Sequence, residues 1–304
     1  MPELPDLELY RSALEPRVVG QRLERVRLGS PFVLRSVEPP LTSTFGRVLS
    51  GTRRLGKRLV FAFDNGLFVV LHLMIAGRLQ WKAAGAKLPG RAGLAAFDFP
   101  SGTLLLTEVS TRKRASLYVV QGEAGLRAFD RGGLEVATAT LGDFAARVRL
   151  ERHTLKRTLT DPRLFAGIGN AYSDEILHRA KLSPVKLTPA LTGEELGRLY
   201  AAARGTLSDW AEKLRRETGE SWPDKVTAFR PDMAVHGRYG KPCPTCGAVV
   251  QRIVHAANET NYCARCQTGG RLLADRSLSR LLKEDWPATL EELDDYLASR
   301  GARG

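Results

Sequence analysis

The sequence predicts an α+β multidomain chain: a strand-rich N-terminal half with a helix lying on it, a helical middle, and a small four-cysteine finger further on. Three observations predict it. Apolar runs flank turn residues at 61–73 and again at 97–106. Residues 153–184 read as helix, turns, helix. Cys243, Cys246, Cys263 and Cys266, the only cysteines in 304 residues, fall as two C-x2-C pairs.

Taken in order, residues 7–17 place Leu7, Tyr10, Ala13 and Leu14 on one face of a helix. Phe61 to Leu73 is two apolar runs about Asp64-Asn65-Gly66, a β-hairpin signal, and Phe97 to Leu106 repeats the device about Pro100-Ser101-Gly102. These define an N-terminal domain over 1–135, with 136–152 as a linker. A helical domain is expected over 153–237. Its first helix, from His153, ends at Asp161-Pro162, and its second ends at Ser183-Pro184. Between them Gly167-Ile168-Gly169-Asn170 is a turn entering a helix, where free N–H groups point at any phosphate brought close. A nucleotide-binding loop would need a preceding strand and a longer glycine pattern. The finger spans 238–268. Beyond it, over 269–304, Leu272, Leu273, Leu278, Leu281 and Leu282, then Leu290, Leu293 and Leu297, predict two short helices packed on the body or on another protein.

The cysteine spacing suits four thiolates closing a tetrahedral zinc site on a β-hairpin. Four protein ligands leave no open position, so one structural zinc is expected. A disulfide pair fits poorly with a start that lacks the layout of a secretory signal. The hairpin tip, His255 to Asn261, is polar and suits contact with a phosphate or a groove; a solvated turn is the plainer reading.

Forty-six Lys and Arg against 33 Asp and Glu give +13. Residues 271–304 carry six basic and seven acidic side chains, so the excess lies in the first 270. Such a balance favours a polyanionic partner, nucleic acid first, over a merely basic surface. No apolar run approaches the roughly 18 residues that span a bilayer, so a cytoplasmic protein with no membrane partner is expected.

The chain starts Met1-Pro2-Glu3-Leu4-Pro5. With Met1 removed, Pro2 is a secondary amine. Free α-amino groups have pKa values of roughly 7.7–8.0, so a neutral, nucleophilic fraction exists near neutral pH. Such an amine attacks an aldehyde-like carbon to give an iminium, and Glu3 is placed to exchange the proton. On these five residues alone, an ordinary frayed terminus is the simpler reading.

Together the Pro2-Glu3 start, the Gly167–Asn170 turn, the four-cysteine finger and the basic body resemble the formamidopyrimidine-DNA glycosylase/endonuclease VIII family of base-excision repair enzymes, closer to the formamidopyrimidine branch. The resemblance covers about residues 2–268. It implies an N-terminal two-layered β-sandwich with an N-terminal helix, a helical domain with a helix–two-turn–helix, and a C-terminal zinc-finger β-hairpin with four cysteine ligands. It implies a monomer acting on double-stranded DNA that contains a damaged base or abasic site, with the protein cytoplasmic or nucleoid-associated. Pro2 matches the nucleophile that attacks C1′, and Glu3 the proton donor. Lys57 matches a lysine that contacts phosphate beside the lesion, and Asn170 the asparagine of the two-turn motif that holds phosphate.

The sequence departs from the family pattern at the residues that choose the lesion. Asn258 stands where the finger usually has an arginine. In His72-Leu73-Met74-Ile75-Ala76-Gly77 the gap-filling methionine aligns with Ile75, with Met74 one place earlier; core packing is the alternative reading of both, and for Met74 the two are evenly matched. In Ser110-Thr111-Arg112-Lys113-Arg114, Arg112 matches the arginine that reads the orphaned base and Arg114 replaces the aromatic wedge. This stretch reads as a phosphate or groove contact more readily than as a solvated basic run. Trp222 to Phe229 falls where the family carries a flexible damaged-base loop, although Trp222 also suits a core. The expectation is a glycosylase with associated lyase activity and an open choice of lesion. The alternative is a damaged-DNA-binding relative with weak or lost glycosylase activity; an RNA-binding finger protein is a weaker third.

Overall fold

The computed structural model describes residues 1–224, 226–227, 229–255, 258–273 and 287–301. The chain forms two compact units, Met1–Gly133 with Ser208–Ala228, and Leu134–Leu207 with Phe229–Gly304.

The first unit opens with helix α1 (Leu4–Val18). Strands β1 (Arg25–Leu28), β2 (Leu49–Leu55), β3 (Arg58–Phe63), β4 (Leu67–His72), β5 (Gly77–Lys82), β6 (Gly93–Phe99), β7 (Gly102–Glu108) and β8 (Ser116–Gln121) follow, then the short helix α2 (Gly122–Arg127). They pair antiparallel in two four-stranded sheets, ordered β1-β6-β7-β5 and β2-β3-β4-β8, the expected two-layered sandwich. Side chains alternate between the faces of a strand. Leu59, Phe61 and Phe63 of β3 therefore join Leu67, Val69 and Leu71 of β4 in the main core. Val60 and Ala62 face the other way and pack with Phe68, Val70 and Leu126 of α2. The central strands are apolar on both faces, which is why they read as continuous runs. Phe61 meets Phe97 of the other sheet edge to face at 5.8 Å. Leu7, Tyr10 and Leu14 of α1 are fully buried in the same core.

The second unit begins earlier than the sequence reading places it. Within residues 136–152, expected as a linker, lies helix α3 (Leu141–Arg149). Thr140 caps it, accepting from the Asp143 N–H (3.2 Å) while Asp143 accepts from the Thr140 N–H (3.1 Å). Its Phe144 and Val148, one turn apart, are fully buried, with Phe144 against Phe165 at 4.9 Å and Tyr200 at 5.4 Å. Helix α4 (Leu155–Thr160) and helix α5 (Asn170–Ala180) flank the glycine turn as expected. Helix α6 (Gly193–Thr218) is 26 residues long, and from Ser208 onward it belongs to the first unit. There Leu214 and Val226, with Trp210 and Trp222, join the sandwich core. Trp222 donates its indole N–H to the Leu79 carbonyl (3.0 Å) and stacks near Tyr10 and Trp81, so of its two expected roles it takes the core one. Lys225 and Ala228 of that loop lie outside the described residues.

The finger is the antiparallel hairpin of β9 (Val250–His255) and β10 (Asn258–Cys263), followed by α7 (Ala264–Thr268). The C-terminal segment folds back on it. Leu272 donates to the Ala288 carbonyl (2.8 Å), and Leu290 opens helix α8 (Leu290–Gly301) by donating to Gly270 (3.1 Å). Leu272 and Leu290 are buried with Ile253, Tyr262 and Ala264, and Tyr262 accepts from the Leu273 N–H (2.7 Å). The described part of the extension packs on the finger, the first of the two choices the sequence left open. Leu278, Leu281 and Leu282 lie outside the described residues. Among the described residues no helix is long and apolar enough to cross a membrane.

Candidate functional site

The start of α1 is a built structure, not a frayed end. Pro2 and Glu3 are buried, Glu3 being 2% exposed. Glu3 is the N-cap residue; its N–H donates to Asp6 Oδ2 (3.0 Å), and its carbonyl accepts from Leu7 (3.0 Å). Asp6 is wholly buried in the first turn, where the helix dipole favours a negative charge. Burial holds the Met1 amine below its ordinary value of 8.0; Glu3 and Asp6 oppose the shift, and Arg78 and Lys57 add to it. The amine, two carboxylates and two cations thus share one electrostatic neighbourhood.

Lys57 sits in the tight turn between β2 and β3, where Gly56 adopts φ +56°. Arg54 ties that turn to α1. Its Nε donates to Glu8 Oε1 (2.9 Å), and its Nη1 donates to the Gly56 carbonyl (3.0 Å). His72 ends β4, and the Leu59–Leu71 pairing brings Arg58 next to it. Burial pushes the His72 imidazole down to about 4, with Arg58, Lys57 and Arg131 adding to the shift. Burial and Arg131 also lower Arg58. These groups concentrate positive potential, and an anion placed among them would relieve it.

Two tips leave the same sheet side by side, because Gly77 at the start of β5 pairs with Glu108 at the end of β7. In the first, Met74 takes the left-handed φ of +53°, and Ile75 is 58% exposed, so Ile75 is not core. Arg78 holds this turn, donating to the carbonyls of Ile75 (3.1 Å) and Gly77 (2.7 Å). Gly77 is required there, since a Cβ would lie 2.2 Å from the Leu73 carbonyl oxygen. In the second tip, the buried Glu108 carboxylate gathers the N–H groups of Arg114 (2.8 Å) and Ala115 (3.0 Å) and the Ser110 hydroxyl (2.9 Å). Lys113 turns back to the Glu108 carbonyl, leaving Arg112 and Arg114 exposed.

In the second unit Gly167 takes φ +77° and Gly169 caps α5. Asn170, its first residue, donates from Nδ2 to the Glu259 carbonyl of β10 (2.9 Å). Asp174, one turn on and 1% exposed, accepts from Lys156 Nζ (2.5 Å), His236 Nδ1 (2.8 Å) and the Asn261 N–H (3.2 Å). Glu175 accepts the N–H groups of Ala234, Val235 and His236 at 2.8–3.0 Å; burial nevertheless pushes its carboxyl up. Asn258 is exposed at the start of β10.

The four cysteine sulfurs lie within 4.8 Å of one another, with Cys243 to Cys266 at 4.0 Å and Cys246 to Cys263 at 3.4 Å. Zinc–sulfur bonds of about 2.3 Å in a tetrahedron put sulfurs a little under 4 Å apart, so the set fits a zinc ion. Burial and mutual crowding push Cys263 up to about 11 and Cys266 higher still. A dication among them removes the obstacle to four thiolates. The protein holds one structural zinc at these residues.

The sequence reading singles out neither Arg78 nor Asp174 nor Glu175 as site residues, and it includes His72 only as part of a stretch. The adjacent acids Asp174 and Glu175, in the middle of a helix between Tyr172 and Ile176-Leu177, are the available signal for the buried network. Arg78 and His72 give none, because their neighbours come from other strands.

Residues 1–116 match the formamidopyrimidine-DNA glycosylase N-terminal domain, 135–217 the formamidopyrimidine-DNA glycosylase H2TH domain, and 240–269 the zinc finger found in FPG and IleRS. The formamidopyrimidine-DNA glycosylase of Thermus thermophilus is 34% identical, the match covering 89% of this chain and all of that one. That of Pelotomaculum thermopropionicum is 31% identical over 88% of this chain and 99% of its own. Among solved structures, a complex between the Lactococcus lactis Fpg and an abasic site containing DNA superposes with a TM-score of 0.76 at 26% identity, covering 88% of this chain and 99% of that one.

Proposed function

Since this chain belongs to the formamidopyrimidine-DNA glycosylase family, we propose that it is a base-excision repair glycosylase with associated lyase activity that works through Pro2 on damaged duplex DNA, as a monomer. The observation that carries this reading is the buried start of α1, where an α-amine is held below its ordinary pKa beside Glu3, Asp6, Arg78 and Lys57. With Met1 removed, the amine in that neighbourhood is Pro2's, and its neutral fraction is the nucleophile.

The chemistry follows from these groups. A base inside a duplex must leave the stack before it is attacked. The Pro2 nitrogen bonds to C1′ as the bond from C1′ to the base breaks, and Glu3 supplies a proton for base release and for opening of the sugar ring. The resulting iminium acidifies the C2′ hydrogens. Loss of one C2′ proton expels the 3′ phosphate, and a second elimination expels the 5′ phosphate. Lys57, with Arg58 and His72 beside it, holds a phosphate of the damaged strand. Asn170 serves the second unit's grip, and the zinc keeps the finger hairpin folded while taking no part in the reaction.

Lesion choice is assigned to the two neighbouring tips. Ile75 is an exposed apolar side chain able to enter the space a flipped base leaves, and Arg112 and Arg114 are the cations that meet the orphaned base and its backbone. A charged side chain in place of an aromatic wedge favours polar readout of the opposite base. Asn258 adds a hydrogen-bonding group to the finger without charge.

Incision of duplexes carrying oxidised purines, oxidised pyrimidines or an abasic site tests the reading. Glu3→Gln is expected to lose about 10²–10⁴-fold in base excision while still binding abasic duplex. Full excision by Glu3→Gln would contradict its role as the acid.

A further inference from the structure

Asn170, Asp174 and His178 stand at i, i+4 and i+8 of α5, on one face of the helix. Each reaches the finger. Asn170 Nδ2 donates to the Glu259 carbonyl at 2.9 Å, and Asp174 Oδ2 accepts from the Asn261 N–H at 3.2 Å. His178 Nε2 lies 3.2 Å from Cys243 Sγ, with both residues buried. The first two contacts grip strand β10. The third touches the metal site itself, and nothing in the reaction proposed for the N-terminus accounts for it.

We infer that His178 is a positioning residue for the zinc: its Nε2–H donates to the Cys243 thiolate and fastens the metal centre to the helix that begins at Asn170. The inference rests on zinc occupying the four cysteines and not on the chemistry assigned to Pro2. Four thiolates around one dication carry a net charge of −2, and burying that charge requires N–H donors around the sulfurs. The finger supplies some from its own backbone, such as the Cys266 N–H to Cys263 Sγ at 3.5 Å. The imidazole is a side-chain donor from outside the finger. The four sulfurs form the mutually close ligand set without it, so it acts on a ligand and is not a fifth one. Outer partners of this kind orient a ligand and tune how firmly the metal is held. Along α5 the contact stands about 12 Å, at 1.5 Å per residue, from Asn170, so metal retention and the placement of Asn170 share one rigid element.

The test is zinc release from the full-length protein under a chelator, read with a colorimetric zinc reporter. His178→Phe keeps the ring's bulk and removes the donor; His178→Gln keeps a donor at a similar reach. His178→Phe is expected to lose zinc about 10–100-fold more readily and to bind an abasic-analogue duplex more weakly in parallel, while His178→Gln moves both back toward wild type. Wild-type zinc retention in His178→Phe, or a His178→Gln no better than it, overturns the inference. Should His178→Phe not fold, nitrogen-15 NMR of wild-type histidines decides: a proton on Nε2 is required, and a bare Nε2 overturns the assignment.

Discussion

In the first unit, burial pushes the His72 imidazole down to about 4, and Arg58, Lys57 and Arg131 add to the shift. In the second, Lys156 and His236 converge instead on the buried carboxylate of Asp174, and three backbone N–H groups converge on Glu175. The charges that act on His72 are all positive, whereas those that meet at Asp174 are of both signs. A cluster of like charges costs stability and is relieved when an anion arrives; a compensated network is complete without a ligand and serves to hold elements together. The contrast suits the phosphate capture and chemistry proposed for the first unit, and in the second it goes with the α5 region's hydrogen bonds to the finger.

The largest expected difference is in stability. Asp174→Ala removes the counter-charge of part-buried Lys156 and the partner of buried His236, and is expected to cost about 3–5 kcal/mol. Arg112→Ala, on an exposed tip, is expected to stay within about 0.5 kcal/mol. Denaturant unfolding of both variants checks this, and equal losses would break the comparison.

A smaller effect lies in the salt dependence of binding. Each phosphate neutralised contributes about 0.9 to the slope of log affinity against log salt. Lys57→Ala is expected to reduce that slope by about this amount on abasic duplex. Asn258→Arg, which puts a charge where the finger has none, is expected to raise it by a similar step. An unchanged slope in Asn258→Arg would show that the finger tip does not meet the backbone.

A third effect concerns pH. His72 titrates near 4 in the fold and near 6.5 when unfolded, so the unfolded chain binds the proton more readily between those values. Its contribution to stability is therefore complete above about pH 6.5 and is lost as pH falls toward 4. A bound phosphate raises the His72 pKa, so DNA affinity is expected to grow as pH falls toward about 4. NMR titration of His72 with and without duplex checks both signs.

Much of this is legible in the sequence, and unevenly so. The β3–β4 and β6–β7 hairpins are visible because Asp64-Asn65-Gly66 and Pro100-Ser101 interrupt apolar runs. The cysteine spacing announces the zinc site, and Pro5 and Asp6 mark the start of α1 once the helix is known. Helix α3 escapes notice because its capping pair, Thr140 and Asp143, lies in a stretch whose two core residues, Phe144 and Val148, make only one apolar turn. What cannot be read is everything built across strands: Arg58 beside His72, Arg54 tying the Lys57 turn to Glu8, and the Ile75 turn beside the Arg112–Arg114 loop. His178 is hidden for the same reason, since 65 residues separate it from the sulfur it touches.

The central claim is that the α-amine of Pro2 is the nucleophile. Borohydride reduction on an abasic duplex, followed by mass spectrometry of the digested adduct, tests it directly in protein shown to lack Met1. A covalent protein–DNA species with the sugar remnant on the Pro2 nitrogen is expected. No adduct, or an adduct carried by Lys57 or another lysine, would contradict it.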